Sequence, residues 1–67
     1  MSTHKLIPYN VRFELYEAQG ETGRVLVQEW EETKWLPDFY AVGHMDYVNG
    51  NPLHRWIVEE RLDLTTL

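Results

Sequence analysis

Apolar and polar residues alternate along most of this chain with a period of two. Tyr9, Val11, Phe13 and Leu15 interleave with Asn10, Arg12, Glu14 and Tyr16. A period of two is the signature of a half-buried strand, here with its odd residues inward. Ala18, Gln19, Gly20, Glu21, Thr22 and Gly23 follow as a turn with two glycines. Residues 24–32 return as a second strand. Its facing is ambiguous, because Val25 and Val27 share one side while Leu26 and Trp30 share the other. Leu26, Trp30 and Thr33 also lie near one helical face, but the two valines favour the strand. Residues 33–38 read as a connection with room for one helical turn, because Pro37 disfavours helical geometry at Leu36.

The strongest local signal lies further on. Two alternating runs, 39–48 and 53–62, flank Asn49, Gly50, Asn51 and Pro52. Asn-Gly between alternating apolar residues marks a hairpin. A two-residue turn at Asn49 and Gly50 places Gly43 opposite Trp56, whose ring would cover the bare glycine. A four-residue loop places Asp46 opposite Arg55 and Met45 opposite Trp56. The two registers differ by two in the pairing sum, so both predict the same faces. One face carries Phe39, Ala41, Gly43, Met45, Tyr47, His54, Trp56, Val58, Glu60 and Leu62, and is the expected core. The other carries Tyr40, Val42, His44, Asp46, Val48, Leu53, Arg55, Ile57, Glu59 and Arg61, with an apolar patch around Val42 and Ile57. A helical spacing also runs through Leu53, Trp56 or Ile57, Glu60, Leu64 and Leu67, and it leaves a helical turn open at the C-terminus.

The expected fold is thus all-β: a small antiparallel sheet of about four strands, arranged as two hairpins, a meander or a partly open barrel. No linker or repeat divides residues 1–67, which read as one domain with a frayed start at 1–5. A chain of 67 residues has little core to build. It has no cysteine, so disulfides and thiolate zinc sites are excluded. Three Trp, four Tyr and two Phe must supply much of the buried surface. Oligomerisation is the other common staple for so small a domain, so a homodimer is expected.

The formal net charge is −5 and the sequence pI is about 5.0. That balance disfavours nonspecific contact with nucleic acid or an anionic membrane and suits a basic protein surface. No apolar run approaches a membrane span, and the N-terminus lacks the apolar stretch of a signal peptide. A cytoplasmic location is expected.

Candidate chemistry is thin. His44 and Asp46 share a strand face but His54 falls on the other, and two ligands are too few for a closed zinc site even if His4 were recruited. Glu31-Glu32 and Glu59-Glu60 are adjacent pairs that point apart on a strand. Serine occurs only at position 2, and Gly20, Glu21, Thr22 and Gly23 lack the lysine and helix of a P-loop. Neither catalysis nor a cofactor is expected. Tyr16, Tyr40 and Trp30 could stack bases in a single-stranded nucleic-acid module, but the six cations are scattered among eleven acids. The preferred expectation is a small acidic protein-interaction module, of the regulator or inhibitor kind that phages and mobile elements encode. Its partner surface would comprise Tyr40, Val42, His44, Arg55, Ile57 and Glu59, with Glu29 and Glu31 as an acidic strip.

Overall fold

The computed structural model describes residues 5–64. The fraying expected at 1–5 lies outside them except for Lys5, whose carbonyl accepts the Asp38 N–H at 2.9 Å. One antiparallel sheet contains β1 (Leu6–Gln19), β2 (Gly23–Pro37), β3 (Met45–Tyr47) and β4 (His54–Arg61). The strand order is β2-β1-β4-β3. Two hairpins are therefore docked through β1 and β4, which leaves β2 and β3 as edges. A short 3-10 turn, Leu62–Leu64, follows β4. The all-β class and the four strands read from the alternation are what the chain adopts.

The β1 pattern explains the core directly. Its odd residues Ile7, Tyr9, Val11 and Phe13 are buried, together with Val58 of β4. Trp30, Leu36, Tyr40, Val48 and Trp56 pack against them. Stacked rings of Phe13 and Trp30, 5.5 Å apart and 7° from parallel, join β1 to β2.

Residues 33–37 do not form a helical turn; they continue β2 to Pro37. The reason is the extended start of β1, which pairs Ile7 with Leu36 and Tyr9 with Lys34. Pro8 fits because β4 reaches along β1 only as far as the pair Tyr9 and Arg61. A missing backbone donor there costs no ladder bond on the β4 side. The ambiguous facing of residues 24–32 is resolved by a bulge. Leu15 pairs with Gln28 but Tyr16 pairs with Leu26, which leaves Val27 extra. Leu26 and Trp30 therefore end on opposite faces.

The 39–48 strand shrinks to Met45–Tyr47, and its facing is the reverse of the sequence expectation. Asn49 and Gly50 do form the turn, with φ of 53° and 72° and the Asn51 N–H on the Val48 carbonyl at 2.9 Å. Left-handed φ at both central positions is the type I′ signature. A second turn follows at once. The His54 N–H reaches the Asn51 carbonyl at 3.0 Å, and Asn51 Oδ1 accepts the Leu53 N–H at 2.9 Å. Pro52, which has no N–H, sits inside this second turn. Pairing resumes with Tyr47 opposite Arg55, Asp46 opposite Trp56 and Met45 opposite Ile57. The pairing sum is 102, three more than the two-residue turn predicts. An odd displacement exchanges the faces.

Phe39, Met45 and Tyr47 are accordingly exposed at 61, 40 and 38%, while Tyr40 and Val48 turn onto the core. Gly43 faces Val58 instead of Trp56: its N–H reaches the Val58 carbonyl at 2.8 Å, and the Val58 N–H reaches the His44 carbonyl at 2.8 Å. Two consecutive residues opposite one is a bulge arrangement, and Gly43 takes a φ of +94° in it. The Tyr9 hydroxyl lies 3.0 Å from both the Pro37 and Tyr40 carbonyls and ties this segment to β1. The Cα positions span 47 × 31 × 14 Å. Among the described residues the sheet is thus one layer, and the segments flanking β3 lie against its apolar side through Tyr40 and Val48.

Candidate interaction site

The even residues of β1 face the uncovered side. Arg12, Glu14 and Tyr16 stand there beside Glu29 and Glu31 of β2 and Arg55, Ile57 and Glu59 of β4. In place of a second apolar layer, this side is roofed by its own charged side chains. Arg12 lies 3.3 Å from Glu14, 3.2 Å from Glu29 and 3.8 Å from Glu59. Arg55 Nε donates to Glu14 at 2.7 Å, and its other nitrogens reach the Tyr16 hydroxyl at 3.0 Å and Met45 Sδ at 3.2 Å. Contacts thus run from β2 through β1 and β4 to β3. Arginine stems cover surface while their heads keep to water or to acids.

Glu14 is the centre of this lattice and is only 4% exposed. Burial pushes its carboxyl up, but hydrogen bonds from Tyr16 and Arg55 and the charges of Arg55 and Arg12 outweigh that, and it titrates below the usual range. The hydrogen bond to Glu14 raises Arg55 in turn, against the opposing effect of burial. The Tyr16 ring is held between Arg24 and Arg55, whose guanidinium carbons lie 4.6 and 5.3 Å from its centroid. Arg24 also donates to the Pro52 carbonyl at 3.0 Å.

The structure divides the residues expected to meet a partner. Arg55, Ile57, Glu59, Glu29 and Glu31 share the ionic face, where Arg12 bridges Glu29 to Glu59 and Asn10 donates to Glu31 at 2.8 Å. Tyr40 and His44 are on the other side, stacked at 4.3 Å and packed against Trp56. Val42 is 61% exposed in the loop before β3. The patch expected around Val42 and Ile57 in either register does not form, because Met45 stands opposite Ile57. His54 lies beside Trp30, with ring centroids 5.8 Å apart. Among the described residues no group of three or more His, Cys, Asp or Glu is placed to hold a metal ion.

The strand edge expected as an alternative docking surface is that of β2. β2 is an edge strand of 15 residues, with only Trp30, Leu36 and Pro37 partly covered. Val25, Leu26, Val27 and Trp35 on it are exposed at 42, 43, 54 and 63%. Its 33–37 portion resembles a loop in sequence because Pro37 breaks regular structure, but here the proline ends the strand. No helix of the described residues is long and apolar enough to cross a membrane. Comparison with protein-family models, curated proteins and solved structures gives no match.

Proposed function

We propose that this protein is a small acidic interaction module, a regulator or inhibitor that docks on a protein partner through the free edge of β2 and the ionic face beside it. The observation that supports this reading most is the edge strand itself. Natural edge strands are kept short, covered or blunted, because their open backbone groups template pairing. β2 is about three times the usual ~5–6 residues and presents four large apolar side chains. Such an edge suits strand addition, in which main-chain hydrogen bonds supply affinity and alternate side chains supply choice. Glu29, Glu31 and Glu32 along it favour a partner strand or groove bearing Lys and Arg. A second copy of the chain can use the same edge, as a domain of this size gains much from a partner. Of the cations a nucleic-acid groove would need, Arg12, Arg55 and Arg61 are already bonded to carboxylates.

Affinity capture with the wild-type protein and two variants tests the reading, with sedimentation of the purified protein alongside. The double variant Leu26→Lys/Trp35→Lys is expected to lose the captured partner and any self-association, while Val42→Lys retains both. Retention by the edge variant would sink the assignment.

A further inference from the structure

We propose that the apolar side of the sheet holds a binding site for a small organic carboxylate with an apolar body, seated by Lys34. A concavity of about 320 Å³ opens between β2 and the turn after β3. That volume is at the small end of the ~300–1,000 Å³ of ordinary ligand pockets. Val11, Phe13, Leu36, Val48 and Trp56 form its apolar wall, and among the described residues Lys34 is its only formally charged lining residue. The site is independent of the free edge of β2, because Lys34 pairs with Tyr9 and so projects over the core, whereas Trp35 projects to the ionic face.

Two observations select an anion with an apolar tail. The Lys34 ammonium lies 5.8 Å from the centroid of Phe13, over the floor of the concavity. Among the described residues Lys34 makes no ion pair, although the other side of the sheet is laced with them. Its place is thus a cation beside apolar, half-enclosed surface with no carboxylate assigned to it. A fully apolar ligand would leave that cation unanswered, and a cationic one would meet it with repulsion. A carboxylate can accept a charge-assisted hydrogen bond there, while its tail covers Phe13, Trp56 and Leu36.

Both Trp56 in the wall and Trp30 stacked on Phe13 report occupancy by fluorescence. The full chain is titrated with decanoate below its micellar concentration, with 1-decanol and decyltrimethylammonium as matched neutral and cationic probes. Decanoate is expected to give saturable one-to-one binding. Lys34→Met, which keeps the stem on an exposed strand position, is expected to weaken it about tenfold and to bring it level with decanol. Val48→Trp, which fills the concavity, is expected to abolish the response. The edge variant Leu26→Lys/Trp35→Lys is expected to bind decanoate as the wild type does, which separates this site from partner docking. Absence of saturable binding, equal affinity for the three probes, or an unchanged constant in Lys34→Met would overturn the proposal.

Discussion

Nε of Arg55 lies 2.7 Å from Oε1 of Glu14, a carboxylate with 4% of its surface exposed. The contact joins the two central strands where β1 pairs Glu14 with Arg55 across the ladder. It also fixes the Tyr16 hydroxyl, 2.6 Å from the same oxygen.

Removing Glu14 leaves Arg12 and Arg55 crowded without their anion. Glu14→Ala is expected to lower unfolding free energy by about 3 kcal/mol, the low end for breaking a covered ion pair, because the arginines stay partly wet. Urea denaturation measures it. A loss under about 1 kcal/mol would show that the lattice contributes little.

The pH dependence follows from the same carboxyl. Its folded pKa lies below the ordinary value of 4.5. The folded state thus holds the charged form more tightly than the unfolded chain does. The resulting stability is fully present above the unfolded value and disappears as pH falls through the folded one. Thermal unfolding between pH 7 and pH 3 is expected to show a flat region and then a fall starting below ~4.5. Glu14→Gln is expected to flatten that fall. An equal slope in both proteins would assign acid sensitivity elsewhere, for example to Asp63, whose hydrogen bond with Arg61 also lowers it.

The turn can be tested by its handedness. Gly50 has a φ of +72° with open space where a side chain would start. Gly50→Ala is expected to cost about 1–2 kcal/mol from backbone conformation alone, with no clash. Asn49→Gly, at a φ of 53°, is expected to change stability by less than about 0.5 kcal/mol. Melting temperatures of the pair check both.

The Tyr9 hydroxyl holds the segment that roofs the core. Tyr9→Phe is expected to cost about 1 kcal/mol by denaturation. Backbone amides of residues 40–44 are expected to exchange faster with solvent in that variant. Unchanged exchange would mean that ring packing alone positions Tyr40.

The sequence made the middle of β1 legible, because Tyr9, Val11 and Phe13 alternate without interruption, but Ala18 and Gln19, expected in the turn, end the strand. It also identified the Asn49-Gly50 turn correctly. Facing around that turn was not legible, because it depends on the number of residues before pairing resumes. Pro52 hinted at a longer connection, yet the second turn comes from the Asn51 side chain capping Leu53, which spacing alone does not reveal. Because the count is odd, Phe39 and Met45 exchanged places with Tyr40 and Val48. Of the expected partner set, Glu29, Glu31 and Glu59 did converge on one face. Lys34 passed unnoticed as one scattered cation, since its significance comes from Phe13 and Trp56, which are remote in sequence.

The Cα positions span 14 Å in their thinnest direction, and the described residues form no second layer. The two sides of the sheet therefore respond to different properties of the surrounding water. Salt screens the exposed parts of the Arg12 and Arg55 lattice while leaving the packing of Val11 and Val58 intact or strengthening it. Cooling weakens the apolar side instead. A single strand, β1, is thus clamped by two forces that a change of medium can alter one at a time.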